Sequence, residues 1–293
     1  MAGSEQRIAV LGAGIMGAGI GQLAAMRGHA VVLRDLTDDL LVRASTAIED
    51  SLARLVRRDR FATADVEPTL ERLTFTTDLP TAVSGTTIVL EAVPEVLDLK
   101  RRVLAEVVEH APAEALLGTN TSQLSITAIG SALGDDAQRL VGMHFFNPPV
   151  LMQLCELVRG LRTSDDALER ARDFAESLDR TVVVCRKDSP GFITSRAYAM
   201  LRLECLRMLE EGVATAEDID TAMKLGFNLP MGPLELGDMN GLDTYLHAIE
   251  GLAEAYGERF RPTVGLRNLV AAGQLGRKSG AGFYRYDEDG QRR

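Results

Sequence analysis

The first half of the chain alternates short apolar runs with longer amphipathic stretches. The apolar runs fall at Ile8–Leu11, Ala30–Arg34, Leu73–Thr76, Thr87–Ala92, Ala115–Thr119, Leu140–Phe145 and Thr181–Cys185. Several, such as IAVL and TVVV, are apolar without a break, the pattern of parallel strands covered on both faces. Between them, Ile15–Arg27, Asp38–Arg60 and Val96–His110 read as helices; in the second, Leu41, Ile48, Leu52 and Leu55 recur at helical spacing. Strands and helices in alternation predict an α/β fold with a doubly wound sheet.

The pattern changes after Lys187–Phe192 (KDSPGF). Asp188, Ser189, Pro190 and Gly191 make a break and a helix start with proline near the first turn. No strong strand pattern follows. Ser195–Glu211 reads as one long helix ended by Gly212, and Thr215 or Glu217 opens another. NLPMGPLEL is a turn leading into a short helix, and LDTYLHAIEGLAEAYG is a further helix. The expected organisation is an α/β domain over 1–187 and an all-helical domain over 188–293. Leu201, Leu206, Met208 and Leu209 on the long helix suit either an internal core or burial across a two-fold axis.

Composition narrows the partners. With 46% hydrophobic and 25% charged residues in 293, the chain has the make-up of a globular protein. No apolar run approaches the roughly 18 residues that span a bilayer, and the opening MAGSEQRIAVLGAG passes straight into a strand pattern without an export signal. The expected compartment is the cytoplasm, with no membrane partner. Cys155, Cys185 and Cys205 are scattered and form no C-x-x-C pair, so they are expected as reduced, buried thiols. A formal charge of −10, from 32 basic and 42 acidic residues, argues against nucleic acid as principal partner. It leaves small anionic ligands open, since local charge holds those.

Gly12, Gly14 and Gly17 fit G-x-G-x-x-G in the stretch IAVLGAGIMGAGIG. Here the motif follows a buried strand, opens a helix and leads to Asp35 at the end of the next strand. In that context Gly12 permits the tight turn, Gly14 lets backbone approach a pyrophosphate and Gly17 lets helix and strand pack closely. The helix N-terminus, with Ile15 and Met16, offers N–H groups and the positive dipole end to phosphates. Asp35 would accept hydrogen bonds from the adenosine ribose. Its carboxylate repels a 2′-phosphate and favours NAD, while Arg34 beside it keeps NADP open. FAD uses the same loop.

The chemical centre is expected around His144. It ends an apolar strand and is followed by Phe145, Phe146, Asn147, Pro148 and Pro149, and Glu156 lies twelve residues on. A strand, a turn and a return segment can bring the imidazole and the carboxylate together. Such a carboxylate orients the ring and stabilises its protonated form, which suits proton removal from an alcohol as hydride leaves its carbon. No G-x-S-x-G elbow supports a hydrolase. His29, His110, His144 and His247 are dispersed without metal-ligand spacing, so no metal is expected.

GAGIMG, EAVPE, NTS, HFFNPP, DSPGF, GPLELGD and GRKSGAGFY occur here in the order seen in the 3-hydroxyacyl-CoA (3-hydroxybutyryl-CoA) dehydrogenase family, which the chain resembles from Ile8 to about Tyr284. The resemblance implies an N-terminal Rossmann domain and a helical C-terminal domain that dimerises. It implies reversible oxidation of an (S)-3-hydroxyacyl-CoA to the 3-oxoacyl-CoA, with hydride passing to NAD(P). By that likeness His144 is the catalytic histidine and Glu156 its partner. Ser122 contacts the substrate oxygen close to the nicotinamide, and Asn147 lies beside the active site. Glu95, Lys100 and Lys278 are cofactor contacts in the same sense.

One position departs from the family pattern. Where the family carries asparagine after the glycine–phenylalanine motif, GFITSR has Ser195, a shorter substrate-orienting group. Arg54, Arg57, Arg58 and Arg60 cluster on the 38–60 helix, with Ser51, Arg54 and Arg58 on one face. They are either a solvated helix end or a dock for CoA phosphates, and the resemblance implies that Ser51 and Arg58 contact CoA. Met231 and Leu234 serve either core packing or an acyl pocket. Two alternatives stand beside the main reading. One is a related dehydrogenase of a free hydroxy acid or polyol, of the gulonate or carnitine dehydrogenase kind. The other is a non-catalytic NAD(H)-sensing module.

Overall fold

A computed structural model describes residues 6–293. Residues 1–5, part of the opening stretch read for an export signal, lie outside the described residues. The chain divides between Ser189 and Pro190 into two compact units.

In the first unit eight strands form one sheet: β1 (Arg7–Leu11), β2 (Ala30–Arg34), β3 (Leu73–Thr76), β4 (Ile88–Glu91), β5 (Leu116–Thr119), β6 (Leu140–Phe145), β7 (Leu154–Val158) and β8 (Thr181–Cys185). Their order is β3-β2-β1-β4-β5-β6-β7-β8. Strands β1 to β6 run parallel, β7 pairs antiparallel with β6, and β8 runs parallel to β7. The helices are α1 (Ile15–Met26), α2 (Asp38–Arg57), α3 (Val66–Glu71), α4 (Leu79–Val83), α5 (Leu97–His110), α6 (Ile126–Gly130) and α7 (Asp165–Ser177). The order reverses at β1, whose neighbours are β2 on one side and β4 on the other. Beyond the carboxyl ends of such strands a doubly wound sheet forms its crevice.

The sequence explains the elements. All four residues of β4 and β5 and all six of β6 are buried, so their continuous apolar runs are covered on both faces. Thr37 caps α2 by accepting from the Leu40 N–H, and Asp38 and Asp39 sit at its positive end. Leu41, Ala44, Ile48, Leu52 and Leu55 form its buried face. Each of the large ones contributes about 1.5–3 kcal/mol on burial. The helix ends at Arg57, short of Arg60, because Asp59 takes φ 53° and the Arg60 N–H turns back to the Leu55 carbonyl. The return segment after Pro149 is a full strand, β7, with Glu156 buried in its middle.

The second unit holds α8 (Thr194–Glu210), α9 (Ala216–Phe227), α10 (Pro233–Asn240), α11 (Leu242–Tyr256) and α12 (Val264–Ala271). Its core is Leu203, Leu206, Leu234, Leu242, Ile249, Leu252, Phe260 and Leu266, among others. Leu234 is therefore a core residue. Pro190 is not in the first turn of α8, as the sequence suggests: Gly191 and Phe192 take φ 75° and 50°, which interrupts the helical path until Thr194. Thr215 and Thr263 cap α9 and α12, and Pro233 starts α10. Two buried aspartates fasten the C-terminal tail. Asp238 accepts from the N–H groups of Phe283 (3.0 Å) and Tyr284 (2.9 Å) and from the Tyr286 hydroxyl (3.0 Å). Asp220 accepts from Leu234 N–H (2.9 Å), Glu235 N–H (2.9 Å) and the Tyr284 hydroxyl (2.7 Å). No helix among the described residues is long and apolar enough to cross a membrane.

Candidate active site

The glycine loop joins β1 to α1. Gly12 has φ 94°, and a Cβ there would lie 2.7 Å from the Ala92 carbonyl oxygen; a Cβ on Gly17 would lie 1.7 Å from the Gly12 oxygen. Only glycine fits either place. Around Gly14 a Cβ would meet nothing within 4 Å, so this is the open side of the loop. Gly14 is also the N-cap of α1 and supplies no side-chain cap, which leaves the first N–H groups of the helix, with Ile15 and Met16, to bind an anion. Asp35 closes the far side: Oδ2 accepts from the Ala13 N–H (2.7 Å) and Oδ1 from the Leu36 N–H (2.7 Å). Arg34 is turned elsewhere, its Nε donating to the Thr77 carbonyl (3.1 Å). Loop, helix terminus and carboxylate together fit a dinucleotide.

His144 and Glu156 are direct cross-strand partners on β6 and β7. The imidazole Nδ1 lies 3.0 Å from the carboxylate Oε2. Glu156 has no side-chain exposure and His144 retains 9%. An ionised carboxylate only accepts, so Nδ1 donates, and this fixes tautomer and ring plane. The Phe146 ring sits against the imidazole at 4.4 Å between centroids. Arg180 holds the turn between the two strands: Nη1 donates to the carbonyls of Pro149 (3.2 Å) and Met152 (2.5 Å) and Nε to that of Leu178 (2.9 Å). Asn120 joins the preceding loop to the histidine strand by accepting from the Phe145 N–H (2.9 Å).

Glu95 and Ser122 are also brought together. Glu95 Oε1 accepts from the Thr121 hydroxyl (2.6 Å), the Ser122 N–H (3.0 Å), the Ser122 hydroxyl (3.4 Å) and the Gln123 N–H (3.3 Å). Lys100 is fully buried on α5. Its ammonium meets Glu91 at 2.7 Å, the Val93 carbonyl at 3.2 Å and Glu95 at 3.5 Å. Glu91, Thr119, Asn120 and Arg180 were not singled out from the sequence. A glutamate closing the apolar strand IVLE is the one visible sign of the first.

A cavity of about 360 Å³ opens beside the glycine loop. Gly14, Ile15, Ser51, Arg54, Asn147 and Pro149 are among its walls, so the loop, the α2 face and the turn after His144 share one cleft. A smaller one of about 90 Å³ is lined by Ser51, Arg54, Arg58 and Arg60 with Pro148 and Leu151. Ser195 and Lys278 belong to the second unit. Ser195 lies in the first turn of α8, and Lys278 holds both oxygens of Asp243 at 2.7 Å. Among the described residues no group of three or more histidine, cysteine or acidic side chains could hold a metal ion.

Residues 7–189 match the sequence profile of the 3-hydroxyacyl-CoA dehydrogenase NAD binding domain, and residues 191–286 that of the 3-hydroxyacyl-CoA dehydrogenase C-terminal domain. The chain belongs to the 3-hydroxyacyl-CoA dehydrogenase family. It is 41% identical over 288 residues to the mitochondrial hydroxyacyl-coenzyme A dehydrogenase of Rattus norvegicus, covering 96% of this chain and 91% of that one. It is 42% identical over 281 residues to a probable 3-hydroxybutyryl-CoA dehydrogenase of Deinococcus radiodurans, covering 96% and 100%. The crystal structure of (S)-3-hydroxybutyryl-CoA dehydrogenase from Ralstonia eutropha superposes with a TM-score of 0.93 at 38% identity, covering 97% and 100%. This family member is thus an oxidoreductase with NAD as its cofactor.

Proposed function

We propose that the chain catalyses reversible oxidation of short-chain (S)-3-hydroxyacyl-CoA, best (S)-3-hydroxybutyryl-CoA, to the 3-oxoacyl-CoA. The observation that carries this reading is the buried His144–Glu156 pair at 3.0 Å at the end of β6, next to a turn that walls the glycine-loop cleft. His144 takes the proton of the 3-hydroxyl on Nε2, the ring nitrogen remote from the carboxylate. Glu156 stabilises the imidazolium so formed. NAD, when bound, would accept the hydride from C3, so that with the hydroxyl proton on His144 the C3–O bond becomes a carbonyl. Ser122 hydrogen-bonds the substrate oxygen, and Asn147 lines the cleft beside it. Gly12, Gly14, Ile15, Met16, Gly17, Asp35, Glu95 and Lys278 are assigned to the cofactor, and Lys100, whose ammonium is buried against Glu91, acts on it through Glu95. Ser51, Arg58 and Ser195 are assigned to the acyl-CoA. The first domain, 1–187, then carries the cofactor, and 188–293 contributes to substrate binding and dimerisation.

NAD is preferred to NADP in this reading. The Asp35 carboxylate beside the glycine loop would repel a 2′-phosphate, and Arg34, which could neutralise that phosphate, is engaged with Thr77. A homodimer through the helical unit is supported by Phe227, Leu225 and Val264, large apolar side chains that are at least 70% exposed there. Cytoplasmic residence is supported by three buried, unpaired cysteines.

The test is a steady-state panel of 3-oxoacyl-CoA chain lengths, with NADH and NADPH in parallel and free acetoacetate as control. The expected result is greatest kcat/KM for acetoacetyl-CoA with NADH and little turnover without the CoA moiety. Faster turnover of the free acid would replace the CoA reading with that of a free hydroxy-acid dehydrogenase. NADH binding without turnover of any of them would point to a sensing module.

A further inference from the structure

A carboxylate and an ammonium with no solvent contact occupy the end of β4 and the first turn of α5. Glu91 and Lys100 each have 0% side-chain exposure and meet at 2.7 Å. Glu91 uses both its oxygens: Oε1 accepts from Lys100 and from the Val93 N–H (2.7 Å), and Oε2 from the Thr119 hydroxyl (2.5 Å). Lys100 donates to Glu91 and to the Val93 carbonyl, and its charge faces Glu95 at 3.5 Å. The contacts continue outward. Glu95 is 38% exposed at its side chain, and the oxygen not turned to Lys100 gathers the loop over Thr121, Ser122 and Gln123. A buried ion pair is weak evidence for stability, because desolvation offsets most of its attraction. What such a pair does provide is a fixed geometry, and here that geometry ends at Ser122.

We propose that Glu91 is a positioning residue for the reaction: it holds Lys100, Lys100 holds Glu95, and Glu95 sets the backbone and hydroxyl of Ser122. The proposal rests on the function assigned above, which places Ser122 on the substrate oxygen. Without the Glu91–Lys100 pair, Glu95 Oε2 loses the cation that anchors it. Glu95 is then no longer held against the Thr121 hydroxyl and the Ser122 and Gln123 amides. The serine is displaced although no group that touches substrate has been changed.

The test uses the full-length protein with three replacements: Glu91→Gln/Lys100→Met together, Lys100→Met alone, and Glu95→Gln. The double variant removes both buried charges and is expected to keep a melting temperature near the wild-type value. Its amide exchange at Ser122 and Gln123 is expected to accelerate about tenfold while β4 and β5 stay protected. Turnover of acetoacetyl-CoA is expected to fall about 10²-fold, the scale of a misplaced catalytic group. Glu95→Gln, which leaves the buried pair intact, should reproduce both losses. Wild-type exchange at Ser122 and Gln123 in either of these two variants overturns the proposal. So does a double variant that regains full turnover together with its stability, or one that fails to fold, since both are the behaviour of a purely structural pair. If the wild-type protein turns over no acyl-CoA, the function assignment fails, and the exchange measurement still decides the relay.

Discussion

Two acid–base pairs are built into one sheet, and they differ in how far water reaches them. Glu91 and Lys100 have no side-chain exposure, and both oxygens of the carboxylate are hydrogen-bonded. His144 and Glu156 are joined at a similar distance, yet the histidine keeps 9% of its surface. Burial pushes the Glu91 carboxyl up from its ordinary value, and Lys100 pulls it back. A pair so enclosed holds a shape and cannot exchange protons with a ligand. A pair with one member at the edge can do both: the carboxylate fixes the ring, and the ring reaches outward. Position in the sheet produces the difference. Lys100 comes from a helix packed over the parallel strands, whereas His144 ends a strand and pairs with the antiparallel β7.

The comparison is broken most directly at His144. His144→Gln keeps a polar side chain and removes the titrating ring, so kcat should fall by about 10²–10⁴-fold. The melting temperature should stay close to wild type, because the residue lies at a strand end. Steady-state turnover of acetoacetyl-CoA with NADH measures it, and unimpaired turnover would end the assignment. Glu156→Gln should lower kcat less, since the ring keeps a hydrogen-bond partner and loses the charge.

Lys100→Met should lose stability as well as turnover, which His144→Gln does not. It leaves the Glu91 carboxyl buried without its cation, and breaking a buried pair in this way costs about 3–5 kcal/mol. Urea unfolding followed by circular dichroism would report a lower midpoint with an unchanged m value. If Lys100→Met and His144→Gln proved equally stable, the contrast between a shape-holding pair and a proton-handling pair would disappear.

Asp35→Ala sharpens the comparison from the cofactor side with a smaller effect. Losing a charge-assisted hydrogen bond to a ribose hydroxyl costs about 1.5–3 kcal/mol, or tenfold and more in affinity. The NADH:NADPH ratio of kcat/KM should fall by about that factor. The variant also removes the acceptor of the Ala13 N–H in the glycine loop, so KM for NADH should rise while kcat changes little.

The sequence patterns reached the sheet more readily than the site. Seven of the strands were visible as apolar runs, since strands covered on both faces need side chains such as those of IVLE and LVGMHF. The eighth, β7, reads in the sequence only as a return segment, because its buried Glu156 interrupts the apolar run of LCELV. The polar residue that hid the strand is the one it places against His144. Helix α7 is faint in the sequence pattern, although Ser164 caps it and Ala167, Ala171, Phe174 and Ala175 mark its buried face. Small alanines give a weak periodic signal. The glycine loop was legible as a motif with a mechanism. The network behind Ser122 was not, because Glu91, Lys100 and Glu95 become neighbours only when α5 packs beside β4. Arg180 escaped for the same reason: it acts on the carbonyls of Pro149 and Met152, about thirty residues before it.

A third pair, fully at the surface, gives the smallest expected effect and the clearest test of sign. Lys278 and Asp243 meet at 2.7 Å with 48% and 41% side-chain exposure. The hydrogen bonds from Lys278 hold the Asp243 carboxyl below its ordinary value, against a weaker opposing push from burial. A depressed carboxyl stabilises the fold above its unfolded value near 3.8, and that contribution is lost as pH falls through the lower folded value. Solvent and salt screen such a pair to about 0–1 kcal/mol. Lys278→Gln should therefore lower the melting temperature slightly at neutral pH, by an amount that shrinks in high salt and vanishes at strongly acidic pH. In the variant the Asp243 carboxyl should titrate closer to its ordinary value, which carboxyl-carbon NMR would follow. NADH affinity, measured on the same variant, separates the surface pair from the cofactor role assigned to Lys278. A loss of affinity well beyond the small stability change would support that role, and unchanged affinity would remove Lys278 from the cofactor site. Either result leaves the two buried pairs as they stand, because neither depends on a charge that salt can screen.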